Sequence, residues 1–180
     1  MNRVGLPGGT SSYFRLSTRP IDPVLAALPQ DEVLQERRRR QAVAGGYRIT
    51  VHPPAEEQVT LVGVGAVVPE VVAAAELLSS QGVTAGVVCL TSPDLIFRSA
   101  QGRGSDISSV LFPAEHPASL VTVMDGHPHT LAFLAGLRGD RTINLGVTEF
   151  GQSSGLEDAY LLHGIDVASI VDAALSVTGR

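Results

Sequence analysis

Four short, mostly apolar runs, residues 58–62, 84–90, 120–124 and 142–145, alternate with stretches whose apolar positions recur at helical spacing. Runs rich in valine and leucine with little polar alternation read as strands covered on both faces. Between the first two, residues 69–80 place Val71, Val72, Ala75 and Leu78 on a helical stripe, and Gly82 follows where a C-terminal cap belongs. Ser92-Pro93 marks a second helix start, residues 130–137 a third helix, and helices near 154–162 and 166–176 close the chain. A further short strand over 47–51 ends at Pro53-Pro54. Such alternation, joined by short glycine-containing turns, predicts a three-layer α/β/α domain with a mostly parallel, mixed sheet of about five strands.

The first part of the chain breaks this rhythm. Residues 1–10 carry Gly5, Pro7, Gly8 and Gly9 and read as a loose arm or as a point where a longer chain was cut. Residues 12–18 alternate as one strand, which Pro20 and Pro23 end. A lone strand must pair with the later sheet or with a neighbouring domain. Residues 23–41 are helical in parts until Gly45-Gly46, and residues 99–109 read as a polar, glycine-rich loop. The expected division is an arm over 1–46 and a folded domain over 47–180.

Composition narrows the function classes. An apolar content of 44% with 4% aromatics suits a packed α/β core and opposes disorder. A net charge of -5 makes nucleic acid an unsuitable partner, since phosphate contacts need a basic surface. The basic run Arg37 to Arg40 sits among Asp31, Glu32 and Glu36 and reads as a solvated helix face or an interdomain contact. Cys89 is the single cysteine and lies within an apolar run, so a buried, inert thiol in a reducing cytoplasm is expected. Neither a basic and apolar leader nor an apolar run of about 18 residues is seen, so a cytoplasmic chain outside the membrane is expected.

Chemistry-bearing residues gather in two places. Asp125-Gly-His-Pro-His-Thr130 and Gly146-Val-Thr-Glu-Phe-Gly-Gln-Ser-Ser-Gly155 each follow an apolar run, at strand ends where open α/β sheets place ligands or partners. Asp125, His127 and His129 have the types of a zinc site or an acid–base pair, but Pro128 between the imidazoles favours a loop and helix cap with hydrogen bonds at an interface. Gly63-Val-Gly65 follows a strand as a dinucleotide loop does, yet the third glycine position holds Val68; a tight strand-to-helix turn is the simpler reading. Ser153, Ser154, Glu157 and His163 have the types of a hydrolase triad without its elbow motif, whereas Ser154 and Glu157 fit a capping box. His52 and His116 stand beside prolines and are expected to face solvent.

The two polar turns in this setting carry a resemblance. Gly146 to Gly155, then Leu162-His-Gly-Ile-Asp166 and Ile170-Val-Asp-Ala-Ala174, resemble the C-terminal domain of the thiamine diphosphate-dependent transketolase superfamily, with the nearest likeness to the homodimeric pyruvate dehydrogenase decarboxylating component. Gln58-Val-Thr-Leu-Val-Gly-Val-Gly65, the helix after it and the strand over 84–90 are similar to that domain's opening β-α-β unit. Ser12-Tyr-Phe-Arg-Leu-Ser-Thr-Arg-Pro20 is similar to the last strand of the family's pyrimidine-binding domain, so the 1–46 arm would be that domain's end plus a linker.

Family members hold diphosphate and magnesium with a Gly-Asp-Gly segment and a following Asn pair, and a Glu of the pyrimidine domain activates the thiazolium. This chain has none of these motifs. The resemblance therefore implies a non-catalytic C-terminal portion or subunit of a 2-oxoacid dehydrogenase (pyruvate dehydrogenase) or transketolase-like enzyme, contributing to assembly and active-site access. No catalytic, cofactor-binding or metal-ligating residue is assigned, and the isolated chain is expected to be inactive. Thiamine diphosphate and magnesium belong to the complete enzyme. Expected partners are a chain carrying the thiamine diphosphate-binding domains, in a homo- or hetero-oligomer, and a dihydrolipoyl acyltransferase core. Asp125, His127, His129, Glu149 and Gln152 are the candidates for an interface or active-site mouth. Two other classes stay open: a stand-alone small-molecule-binding regulatory module, and a self-contained hydrolase or metal enzyme.

Overall fold

A computed structural model describes residues 19–50, 52–53, 56–115, 118–150 and 153–179; the strand expected over 12–18, His116 and Gln152 lie outside them. The strands are β1 (Gly46–Arg48), β2 (Val59–Val64), β3 (Ala85–Leu90), β4 (Ser119–Met124) and β5 (Thr142–Leu145). The helices are α1 (Glu32–Ala44), α2 (Val68–Ser80), α3 (Pro93–Ala100), α4 (Ile107–Leu111), α5 (Ala135–Arg138), α6 (Leu156–Leu162) and α7 (Val167–Thr178). The strands form one sheet in the order β1-β3-β2-β4-β5, parallel throughout except for β1, which runs antiparallel to β3. This is the three-layer, mixed-sheet α/β architecture expected from the sequence.

Register explains why the central strands are apolar on both faces. Leu61 of β2 lies opposite both Val87 and Val121, so these side chains project together from one face. With Val59 and Val123 they meet Val71, Ala74 and Leu78 of α2 and Ile170 and Ala174 of α7 in one core cluster. The intervening positions Val62, Val88 and Leu120 project from the other face, against Ile96 of α3, Leu111 of α4 and Leu131 and Leu134. Each fully buried leucine or isoleucine here contributes on the order of 1.5–3 kcal/mol relative to exposure.

Local chemistry sets the helix ends. The Val83 N–H reaches the Leu78 carbonyl at 2.9 Å and the Gly82 N–H reaches Ser79 at 3.0 Å, with Gly82 at φ +76°, the Schellman closure expected at that glycine. The Asp166 carboxylate accepts from the Ala168 N–H at 3.1 Å and caps α7. The Ser154–Glu157 capping box is not formed. Gly155 is the N-cap of α6 with no side-chain cap, and the displaced Ser154 hydroxyl instead donates to the Gly155 carbonyl at 3.2 Å.

Three other expectations change in detail. Residues 130–137 are not one α-helix but a 3-10 segment, Pro128–Leu134, running into the single turn of α5. Three residues per turn stacks Leu131 above Leu134, and both are buried. The polar loop over 99–109 ends in α4, whose Ser108 hydroxyl lies 2.9 Å from that of Ser99, both residues being buried. The first strand stops at Arg48, after which the Thr50 hydroxyl takes over a ladder position by accepting from the Val87 N–H at 2.7 Å.

One charge enters the second core layer. The Glu57 side chain is 2% exposed, pairs with Arg48 and accepts from the Thr60 hydroxyl at 3.2 Å. Arg48 also donates to the Leu111 carbonyl at 2.8 Å, which ties β1 to α4. Gly86 makes this possible, because any β-carbon there would collide with the Glu57 carboxylate. Among the described residues one helical stretch, Leu156–Thr178, is long and apolar enough to cross a membrane. It is two helices parted by Gly164 at φ +63°, and α7 buries Ile170, Val171, Ala173, Ala174 and Val177 in the core.

Candidate functional site

In a doubly wound sheet the crevice lies where successive connections leave in opposite directions, at the carboxyl ends of the strands. Here β2 connects outward to β3 and β4 connects outward to β5, so the crevice lies between β2 and β4. The turn after β2 places Gly65 at φ +71°, and Gly63 lets α2 approach, since a β-carbon there would stand 3.1 Å from Val68. The glycines therefore make a tight strand-to-helix turn.

The chain's own side chains fill the space in front of it. Arg19 pairs with Glu70 of the first turn of α2 at 2.7 Å, donates to the Ala66 carbonyl at 3.2 Å and lies 5.8 Å from the ring centre of Tyr160. Burial works against the Arg19 charge, but its hydrogen bond to Glu70 and that carboxylate's charge outweigh it and raise its pKa. Burial likewise raises the Tyr160 phenol, the charges of Glu70 and Asp125 add to the rise, and Arg19 opposes it. A carboxylate already sits at the helix N-terminus with its own cation, so the feature that attracts a pyrophosphate in a dinucleotide fold is neutralised.

The two polar turns found in the sequence are brought together. The Val147 N–H donates to the Gly126 carbonyl at 2.8 Å. Gly146 lies so close to the other turn that a β-carbon would stand 2.5 Å from the Gly126 oxygen and 2.9 Å from the Pro128 ring. The turns thus form one ledge beyond β4 and β5, with Asp125, His127, His129 and Glu149 all exposed on it. His127 caps the 3-10 segment, its Nδ1 accepting from the His129 N–H at 3.3 Å, and the two rings stand 6.4 Å apart at 75°. One imidazole is committed to the backbone and the rings do not converge. Among the described residues no group of three or more histidine, cysteine or carboxylate side chains is placed to hold a metal ion.

The other sequence candidates stay apart. Ser154 and His163 lie at opposite ends of α6, whose seven residues rise about 10 Å, so they make no nucleophile–base pair. His52 is exposed. Cys89 is half-buried rather than sealed in the core, and lines a cleft of about 460 Å³ with Tyr47, Val64 and Val68. Burial pushes its thiol up, against the Tyr47 hydrogen bond and the Arg38 charge. Burial and the neighbouring thiol push the Tyr47 phenol up to about 12, although the Arg38 guanidinium lies 4.6 Å from its ring centre.

Sequence reading missed two features. The Arg19–Glu70–Tyr160 cluster joins residues from the arm, α2 and α6; Arg19 and Glu70 are 51 positions apart, and no local pattern links them. One apolar side chain stands bare on the ledge: Phe150, beside Glu149, is 99% exposed; separately, Leu161 and Leu162 of α6 are 66% and 59% exposed. A fully exposed phenylalanine is a signal for a covered surface, and the Glu149-Phe150 pair in a polar turn is the only hint the sequence offers.

Fold and site together define a doubly wound α/β domain whose carboxyl edge carries an exposed ledge of polar side chains with Phe150 among them. Residues 45–166 match the family model of the transketolase-like C-terminal domain. No curated protein sequence matches the chain. Among solved structures, a transketolase variant of Pichia stipitis in complex with fructose-6-phosphate is similar at 18% identity and a TM-score of 0.63, with 78% of this chain and 19% of that one covered. Transketolase from Leishmania mexicana is similar at 21% identity and a TM-score of 0.62, with the same coverage of 78% and 19%. A split-gene transketolase, described as an inactive beta4 tetramer, is similar at 18% identity and a TM-score of 0.52, covering 76% of this chain and 43% of that one. The chain belongs to the transketolase-like C-terminal domain family. It spans about a fifth of the length of the full transketolases it resembles.

Proposed function

We propose that this chain is the non-catalytic C-terminal portion or subunit of a thiamine diphosphate-dependent enzyme of the transketolase or 2-oxoacid dehydrogenase (pyruvate dehydrogenase) type. Its role is to dock onto the domains that hold the cofactor and to shape the approach to their active site. The observation that carries this reading is the exposed ledge on a domain of the transketolase-like family: Phe150 is bare beside Glu149, and the turn joined to theirs exposes Asp125, His127 and His129. Gln152 belongs to the same polar turn in the sequence and is proposed as a further contact. Apolar anchors ringed by polar groups are the anatomy of a protein interface.

The residues on the carboxyl edge do not suit the cofactor itself. A diphosphate with magnesium needs backbone donors or cations that are not already neutralised, together with oxygen ligands for the metal. At the switch point Arg19 is paired with Glu70, so no catalytic step is assigned to this chain. The division into an arm over 1–46 and a domain over 47–180 is part of the proposal, as are a cytoplasmic setting and oligomeric assembly. The beta4 assembly named for the split-gene relative makes a separately encoded lobe a reasonable form for this family. A dihydrolipoyl acyltransferase core follows as a partner only if the complete enzyme is a 2-oxoacid dehydrogenase.

Co-expression with a neighbouring-frame chain that carries Gly-Asp-Gly and the Asn pair, followed by size-exclusion chromatography and activity assay, tests the reading. A co-eluting complex active on 2-oxoacids or ketose phosphates is expected, with binding weakened by Phe150→Ser and Leu161→Ser together. Turnover by this chain alone would overturn it.

A further inference from the structure

Residues 19–28 cross the molecule beside β2 and β3, and what holds them there is unusual for a chain segment. None of them is buried, and Ile21, Val24 and Leu28 are 44%, 80% and 61% exposed. Beneath the segment lie two clefts rather than packed core. One, of about 460 Å³, is roofed by Ile21, Pro23 and Leu25 and floored by Tyr47, Val68 and Cys89. The other, of about 600 Å³, lies between Val24 and Leu25 above and Val72 and Val87 below.

Among the described residues, arginines fasten the segment near its start and near its end. At its start Arg19 pairs with Glu70 at 2.7 Å and donates to the Ala66 carbonyl at 3.2 Å. Near its end Arg38 of α1, stacked 4.6 Å from the Tyr47 ring centre, donates to the Ala26 carbonyl at 3.0 Å. Between the fastenings the Asp22 carboxylate caps the short 3-10 turn Pro23–Ala26, and Ala27 follows at φ +45°. Ala27 is the one described residue other than glycine with positive φ, a conformation that strains an alanine. A segment held by a few polar contacts over unfilled space, with strain at its hinge, belongs to the low end of local stability.

We propose that residues 19–28 are a latched strap, with the Arg19–Glu70 pair as the latch. When the pair separates, the strap lifts from the Arg19 end and uncovers the cleft above Cys89. The inference rests on this chain's own contacts and stands whether or not the ledge docks a partner.

Cys89 is the only cysteine, so a thiol reagent reads the cleft without interference. Arg19 is not among the groups that set the ionisation of this thiol, which are burial, Tyr47 and Arg38. The rate at which 5,5′-dithiobis(2-nitrobenzoate) labels the 180-residue chain at fixed pH, well below its melting temperature, reports strap opening. Arg19→Ala, which loses the Glu70 pair together with the Ala66 and Tyr160 contacts, is expected to raise the rate about tenfold, and Glu70→Gln, which loses only the charge of the pair, about threefold. The exchanged pair Arg19→Glu with Glu70→Arg is expected to bring it back toward the parent rate. Arg39→Ala, which removes only an exposed arginine paired with Glu36, serves as the control and leaves the rate unchanged. Thermal melts of every variant separate strap opening from global unfolding. An unchanged rate in Arg19→Ala, no recovery in the exchanged pair, or a rise that merely follows loss of global stability would overturn the proposal.

Discussion

Replacing Gly146 with alanine tests the joining of the two polar turns. A β-carbon at that position would stand 2.5 Å from the Gly126 carbonyl oxygen, 2.9 Å from Pro128 Cδ and 3.0 Å from Pro128 N. Two of these are backbone atoms and the third belongs to a ring locked to the backbone, so no flexible side chain can swing away. The turns must part, and the 2.8 Å bond from the Val147 N–H to Gly126 lengthens or breaks. Overpacking of this kind costs about 1–3 kcal/mol, and a lost backbone hydrogen bond about 0.5–1.5 kcal/mol. Against that, alanine lowers the entropy of the unfolded chain, which contributes about 0.4–1 kcal/mol in the other direction. A net loss of roughly 1–3 kcal/mol follows, which for a chain of this size lowers Tm by about 3–10 °C. Thermal unfolding followed by circular dichroism measures it. Gly136→Ala is the matched control, because Gly136 lies in α5 with nothing within 4 Å of an added β-carbon. Equal melting temperatures for the two variants would refute the claim that the turns are built against each other.

Other expectations follow from the same contacts. Arg48→Met strands the Glu57 carboxylate, whose side chain is 2% exposed, and is expected to cost about 2–4 kcal/mol by urea unfolding, less than a fully buried pair because Arg48 is 20% exposed. Tyr47, pushed up to about 12 from 10.0, makes stability fall with pH: below 10 its phenol is neutral in both states, and above it the unfolded chain loses the proton first. That part of the decline begins near pH 10, ends near 12, and is expected to be absent in Tyr47→Phe when stability is titrated. Phe150→Ser removes a side chain that touches almost nothing in this chain, so its melting temperature is expected to match the parent's while partner binding weakens.

The sheet was legible because its signal is local and redundant. The runs at 58–62, 84–90 and 120–124 each became a central parallel strand, since a short run of valine and leucine bounded by turn residues suits a strand covered on both faces. Gly82 was legible for the same reason: positive φ after an apolar helical run has few other uses. Local pattern did not fix the helical pitch over 128–134, which is chosen by the burial of Leu131 and Leu134 together. It also misplaced the start of α6 by a small shift that was enough to move Ser154 out of capping range. The candidate site was half legible. Its polar turns were visible as clusters, but their joining through Gly146 depends on β4 and β5 being neighbours. The filling of the crevice by Arg19 depends on a contact between the arm and α2, which no spacing rule anticipates.

Isothermal titration of the purified chain with thiamine diphosphate in the presence of magnesium bears most directly on the central claim. A lobe whose switch-point crevice is closed by its own ion pair is expected to give only the heat of dilution. A saturable isotherm approaching one cofactor per chain would show that the chain carries its own cofactor site, and the docking account would fall with it.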